Sequence, residues 1–166
     1  MKSIPLLSVF FVSLVSVELM SACSRTPSHP SDVVLEQRLR SHQADFDNLV
    51  RMFEEDSDVV KITHQRVFFD KSPIRNLPIG RLDDYRSLFK TLQLEGGIKR
   101  ERSHILLIAS TKGMLIPNSG KTYLYSVTEP SPLVESLDAV ITSHNGDQPP
   151  VYKKLFGKWY LSYESW

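Results

Sequence analysis

Apolar side chains recur at the spacing of one helical face between residues 32 and 55, and this periodicity constrains the fold more than any other feature of the chain. The stripe consists of Leu35, Leu39, Phe46, Leu49, Val50 and Phe53. Ser31 or Asp32 can cap the start of such a helix. A single helix from there to Glu55 would measure about 36 Å, a length that suits a helix lying across a sheet. The sequence therefore predicts one long N-terminal helix packed on a sheet.

The C-terminus predicts a β-hairpin. Residues 151–156 and 159–164 have strand composition, and they flank Gly157-Lys158, a two-residue turn of the kind that begins with glycine. Alternate residues of the second strand are large and apolar, namely Trp159, Leu161 and Tyr163. We expect these side chains to complete the core, because aromatic strand pairs commonly stabilise sheets. An aromatic binding strip is the alternative interpretation.

Two strands and a second helix are predicted in the middle of the chain. Residues 59–63 and 66–69 are rich in β-branched and aromatic side chains and predict two paired strands. Apolar residues from Leu82 to Leu92 follow helical spacing, and the Gly96-Gly97 pair would end this helix as a glycine cap.

The segment 104–110 is apolar on both faces, which favours a central strand. A further strand near 122–127 and a short helix at 131–138, with Pro132 in its first turn, precede the hairpin. The order of the elements predicts a single α+β domain. It would have a mainly antiparallel sheet, with the long N-terminal helix and one or two further helices packed on one face.

The first 23 residues have the three-part layout of an export signal. Lys2 supplies a positive charge, residues 4–17 are mainly apolar, and small residues precede Cys23, the single cysteine of the chain. A membrane-spanning helix would need about 20 apolar residues. Pro5 and Glu18 leave too few, so the segment favours a cleaved signal over a membrane span.

The residues Met20, Ser21, Ala22 and Cys23 resemble the bacterial lipobox, although Met20 stands where leucine is usual. The resemblance implies cleavage before Cys23, a diacylglycerol thioether on its sulfur and an acylated amino terminus. Several acyl chains would hold the protein at a bilayer essentially permanently. In the sorting pattern of this family an aspartate after the cysteine retains the protein at the inner membrane. Ser24 therefore favours the periplasmic face of the outer membrane.

These features predict three parts: a signal peptide at 1–22, a lipidated cysteine with its tether at 23–31, and a single α+β domain at 32–166. The tether is short, polar and proline-bearing, and His29 is expected to be an ordinary linker residue. The mature domain resembles small lipoproteins of Gram-negative bacteria, a category that assigns no site.

Charge is balanced overall and uneven locally. The chain carries 20 Lys and Arg against 19 Asp and Glu, so its net charge of +1 does not predict a nucleic-acid partner. Residues 61–102 contain ten bases against five acids. The uneven charge is explained by two solvated faces that complement one another across the fold, or by a candidate binding face for an anionic partner such as lipid headgroups or an acidic protein. The candidate face consists of Arg81, Arg86, Lys90, Lys99, Arg100 and Arg102. The alternative is that these cations pair with acids of the first helix.

No sequence motif assigns catalytic residues, a metal site or a cofactor, since the chain lacks a nucleophile elbow, a paired-histidine zinc motif and a CxxC pair. The favoured hypothesis is a membrane-anchored binding or envelope-maintenance module without catalytic activity, acting on a protein or on cell-wall material. One alternative is a periplasmic inhibitor or immunity lipoprotein. Another is a periplasmic hydrolase that uses acids of the 54–58 segment with His64 or His104. The sequence leaves the oligomeric state open.

Overall fold

The computed structural model describes residues 29–70, 77–113, 118–143 and 147–165. Within these ranges seven strands form one antiparallel sheet in the order β2-β1-β3-β4-β5-β7-β6. The strands are β1 (Val59–Ile62), β2 (Val67–Phe69), β3 (Gly97–Glu101), β4 (His104–Lys112), β5 (Ser119–Tyr125), β6 (Gln148–Phe156) and β7 (Trp159–Ser165). The predicted antiparallel sheet is confirmed, and β4 is its central strand as expected.

Helices and sheet share one core. The described helices are α1 (Asp32–Ser41), α2 (Gln43–Glu55), α3 (Arg81–Thr91) and α4 (Leu137–Ser143). Their buried side chains join those of one sheet face in a single cluster, in which Phe46 of α2 lies 4.7 Å from Tyr123 and 5.6 Å from Trp159 between ring centroids. A smaller cluster of Leu106, Leu124 and Tyr160 is separate. Its members alternate with core residues along their strands and so lie on the other sheet face.

The single long helix predicted for residues 32–55 is wrong, because the chain breaks at His42 into α1 and α2. The His42 amide still donates to the Arg38 carbonyl, and the His42 carbonyl accepts from the amides of Asp45 and Phe46. His42 therefore ends one helix and begins the next. The periodicity did not reveal the break, since Leu39 and Phe46 are seven residues apart and a seven-residue step is two turns of a continuous helix.

The glycine cap predicted for the second helix is also wrong. Gln93 takes the left-handed conformation after α3, with φ 52°, and its amide donates to the Lys90 carbonyl while the Leu94 amide donates to Phe89. This hydrogen-bond pattern is a Schellman motif, which usually has glycine at that position. Gly97 instead begins β3 with φ +81°, where a Cβ atom would lie 2.1 Å from the Ile62 carbonyl oxygen. Gly97 is thus needed for the close approach of β1.

The short helix predicted at 131–138 lies further along the chain, since α4 begins at Leu137. The preceding residues pair with the edge of the sheet: the Val134 amide donates to the Tyr152 carbonyl, and the Tyr152 amide donates to the Pro132 carbonyl. Backbone groups used in this way are not free for helix formation. Ser136 then accepts from the Ala139 amide at the start of α4.

The C-terminal hairpin is confirmed as β6 and β7, with Gly157 at φ +55° in the turn. Trp159, Leu161 and Tyr163 all belong to the main core and are at most 8 % exposed. They therefore pack inside the protein, as the favoured interpretation expected, and do not form an exposed aromatic strip.

Candidate functional site

The six cations expected to share a binding face are distributed over different parts of the fold. Arg81 pairs with acids at the end of α2, at 2.8 Å from Glu55 and 2.9 Å from Asp56. The Tyr85 hydroxyl donates to the same Asp56 carboxylate at 2.6 Å. Burial and this hydrogen bond raise the pKa of Tyr85 well above its ordinary value. Arg81 therefore joins α2 to α3, as the alternative interpretation proposed for these cations.

The three cations of β3 and its turn have separate surroundings. Lys99 and Arg100 are neighbours on a strand, so their side chains lie on opposite faces of the sheet. Lys99 pairs with Glu101 at 2.8 Å. Arg100 donates to the Phe53 carbonyl at 2.8 Å, with its guanidinium 4.9 Å from the Phe53 ring centre. Arg102 takes a positive φ of 54° in the turn before β4. None of these three side chains lines the groove described next.

Arg86 and Lys90 lie beside an open groove between α1 and α3, which we call the α1–α3 groove. Its volume is about 550 Å³. Apolar side chains form much of its lining, namely Pro30, Phe89, Leu94 and Ala109, and three cations contribute to it, namely Arg38, Arg86 and Lys90. His64, Gln93 and Glu95 are the other described residues that line it. The groove thus combines an apolar surface with a cluster of positive charge.

The three cations of the groove are only partly neutralised. The Arg86 guanidinium donates to Asp83 and to the His64 carbonyl, each at 3.0 Å. Arg38 donates to the neutral side chain of Gln93 at 2.7 Å. The Lys90 ammonium has no hydrogen bond or ion pair with any described residue, and Glu95 is the single acid among the lining residues. The groove therefore has an excess of positive charge that can attract an anion.

Contacts between its own residues hold the wall of the α1–α3 groove in place. The His64 ring donates through Nε2 to the Leu94 carbonyl at 2.7 Å and packs against Phe89, with ring centroids 5.4 Å apart. Gln93 is held by the Schellman motif, and its side chain accepts from Arg38. Glu95 accepts from the Thr111 amide at 2.9 Å. A prearranged wall of this kind lowers the entropy cost of binding a ligand.

The N-terminal segment docks beside this groove. His29, expected to be a linker residue, is buried, and its ring hydrogen-bonds with Ser110 at 2.7 Å and with Ser119 at 2.9 Å. Burial, reinforced by the charges of Lys112 and Lys121, lowers the pKa of His29 to about 4. A neutral His29 ring therefore fastens the chain to the ends of β4 and β5.

A buried ion-pair network continues this attachment. Lys121 of β5 is fully buried, and its ammonium lies 2.6 Å from both Asp32 and Asp138 and donates to the Pro30 carbonyl at 3.0 Å. Burial opposes ionisation of Asp32, but the hydrogen bond and charge of Lys121, with help from the Leu137 amide, bring the Asp32 pKa below its ordinary value. We call this set the N-terminal clamp: His29, Pro30, Asp32, Ser110, Ser119, Lys121 and Asp138.

Asp56 and His64, two of the residues considered for hydrolysis, have other partners, and His104 lies apart from them at the start of β4. Asp56 is held by Arg81 and Tyr85, and His64 donates to the Leu94 carbonyl. His104 begins β4, and its buried Nδ1 atom has no hydrogen bond. In the described ranges no three His, Cys, Asp or Glu side chains are grouped closely enough to hold a metal ion.

Arg38 and the N-terminal clamp were missed by the sequence reasoning. The basic last turn of α1 was a usable signal for Arg38, since cations there are common and this one faces α3.

The motif Met20, Ser21, Ala22 and Cys23 lies outside the described residues. Of the helices that the structure describes, none is long and apolar enough to span a bilayer. No protein-family model, curated protein or solved structure matches the chain.

Proposed function

We propose that the protein is a membrane-anchored lipoprotein of the bacterial envelope that works as a binding or envelope-maintenance module. Cys23 would carry the lipid, and Ser24 favours the periplasmic face of the outer membrane. The support for anchoring is the sequence of residues 20–23, which resembles a lipobox. The binding site would be the α1–α3 groove.

The observation that carries the binding proposal is the charge of this groove. Arg38, Arg86 and Lys90 line the groove together with apolar side chains, and Glu95 is the one acid among the described lining residues. The fitting ligand has an anionic group next to an apolar part. Guanidinium groups bind carboxylates and phosphates through paired hydrogen bonds. The Lys90 ammonium adds a point charge, and it has no bond to a described residue that would have to break before it binds an anion.

The anchoring half is tested on protein isolated from its native envelope. We expect the mature chain to begin at Cys23, to carry the mass of a diacylglycerol and an acyl group, and to partition with membranes. Cys23→Ser removes the thiol that lipidation requires, so this variant should lose the added mass. Ser21→Gly, which keeps a small residue before the cysteine, is the matched control and should still be lipidated. An unmodified Cys23 in a soluble periplasmic protein would contradict the proposal.

The binding half is tested by titrating the isolated protein with a short-chain alkyl phosphate. We expect Lys90→Gln and Arg38→Gln to weaken binding. The exposed Lys154→Gln should leave it unchanged, because neither Lys154 nor its partner Glu129 lines the groove. Equal affinity for all four proteins would rule out the α1–α3 groove as the site.

A further inference from the structure

We infer that the α1–α3 groove binds the phosphate headgroup of an anionic lipid in the same membrane that holds Cys23. The inference rests on the proposed anchoring and names the ligand of the proposed site. Three features of the protein support it: the short chain between Cys23 and the fold, the charge of the groove, and the apolar side chains beside it.

Chain length keeps the groove near the bilayer. Five residues separate Cys23 from His29. Six residue steps span at most roughly 20 Å when fully extended. His29 is fixed to Ser110 and Ser119, and the next residue, Pro30, lines the groove. The groove wall and the lipid attachment point are therefore joined by a short stretch of chain, which gives a membrane headgroup a high effective concentration at the site.

The charge at this end of the sheet fits an anionic surface. Arg38, Arg86 and Lys90 lie at the groove. Lys112 ends β4 two residues after Ser110, which holds His29, so it adds a fourth cation near the tether. Each Lys or Arg close to an anionic bilayer contributes about 1 kcal/mol of attraction. A phosphate group would also give Lys90 the partner that it lacks among the described residues.

Exposed apolar side chains lie on the first turn of α1. Val33 is 70 % exposed and Val34 is 47 % exposed. Both lie within four residues of Pro30, which lines the groove. Val34 and Arg38 are four residues apart on one helix, so they share a face, and Arg38 lines the groove. An apolar residue next to a cation is the arrangement found where a helix contacts the boundary of headgroups and acyl chains. The volume of about 550 Å³ suits a small ligand such as one headgroup better than an extended peptide.

The test uses the lipidated protein, purified from membranes and reconstituted into vesicles. One vesicle type is phosphatidylcholine alone, and the other has equal parts of phosphatidylcholine and phosphatidylglycerol. An amine-reactive reagent then labels exposed lysines, and mass spectrometry reports each site. We expect labelling of Lys90 to fall about fivefold in the anionic vesicles, which corresponds to about 1 kcal/mol. Lys154, which pairs with Glu129 away from the groove, should be labelled equally in both.

Two further measurements make the result specific. The protection of Lys90 should disappear in Arg38→Gln/Arg86→Gln protein, and it should weaken at high salt because salt screens exposed charges. Equal labelling of Lys90 in both vesicle types would overturn the inference, and so would equal protection of Lys154. If Lys90 in neutral vesicles is protected from labelling only after polyglutamate is added, the inference is overturned and the ligand is an acidic protein. The same mass spectrum reports acyl groups on Cys23. Their absence would refute the anchoring, whereas acylated protein with an unprotected Lys90 would refute the headgroup site alone.

Discussion

Replacing Lys121 with methionine should destabilise the fold more than any replacement of an exposed lysine. Lys121 is 0 % exposed, and its ammonium contacts Asp32, Asp138 and the Pro30 carbonyl. Methionine retains most of the apolar stem and removes the charge. Asp32, whose side chain is 3 % exposed, would then remain as a buried carboxylate with weaker support.

The size of the loss of stability depends on the partners that Asp32 keeps when Lys121 is replaced. Removing one partner of a buried ion pair typically costs about 3–5 kcal/mol, because the other charge is left uncompensated. Asp32 would still accept from the Leu137 amide at 2.8 Å and lie 3.5 Å from the Lys153 ammonium. The Asp138 side chain is 41 % exposed and can be hydrated. We therefore expect Lys121→Met to lower the free energy of unfolding by about 3 kcal/mol, the lower end of that range.

The assay is urea unfolding followed by tryptophan fluorescence, to which the buried Trp159 contributes. The exposed Lys154→Met, which breaks a surface pair with Glu129, is the matched control and should cost less than about 1 kcal/mol. Asp32→Asn in the Lys121→Met background removes the stranded charge. The double variant should therefore be more stable than the sum of the single effects by about 1–3 kcal/mol. A loss below about 1 kcal/mol for Lys121→Met, or strict additivity, would refute the role assigned to the N-terminal clamp.

Acid should destabilise the protein as pH falls from about 6.5 to about 4, because His29 in the unfolded chain gains a proton near the ordinary histidine pKa while the folded residue gains one only near pH 4. Urea midpoints measured across this range should depend less on pH in His29→Gln. An equal pH dependence in the wild type and the variant would show that His29 is not responsible. Gln93→Gly should stabilise the fold by about 1 kcal/mol, because glycine adopts the left-handed conformation without the steric cost. It should nevertheless weaken anion binding, because the Arg38 guanidinium loses the hydrogen bond to Gln93 that positions it in the groove; a lower melting temperature would contradict the first expectation. Gly97→Ala should destabilise the fold by more than about 2 kcal/mol, since its Cβ would meet the Ile62 carbonyl. Gly157→Ala in the open hairpin turn should cost less; equal melting temperatures for the two variants would refute this account.

Local patterns predicted much of the fold. Alternation placed Trp159 and Tyr163 in the core, and the glycine turn placed the hairpin, because both depend on residues close in sequence. The break at His42 was missed because the seven-residue gap around it matches two helical turns. The glycine cap was misplaced because the close approach of β1 to Gly97 is a tertiary contact.

The candidate site depended on contacts that sequence patterns do not report. Two cations of the predicted face, Arg86 and Lys90, line the α1–α3 groove. The third cation of the groove, Arg38, was not part of that face, because its helix was considered for its apolar stripe and its acids and not for its bases. Lys121 is two residues before the core residue Tyr123 on β5, so the two side chains lie on the same face of the strand, which already indicated an inward side chain. Its partner Asp32 is 89 residues away in the chain, so nothing local identified the ion pair that stabilises this charge.

The docking of His29 also determines how mechanical load would enter the protein. Tension arriving from the N-terminus would reach His29 and pass at once to Ser110 of the central strand β4 and Ser119 of the adjacent β5. Lys121 would bear the next part of the load through its hydrogen bond to the Pro30 carbonyl. A pull on this end would therefore load the middle of a seven-stranded sheet before it reached α1, and α1 would be spared from unwinding first. In single-molecule stretching from the N-terminus, rupture should need a higher force in the wild type than in His29→Ala/Lys121→Met protein.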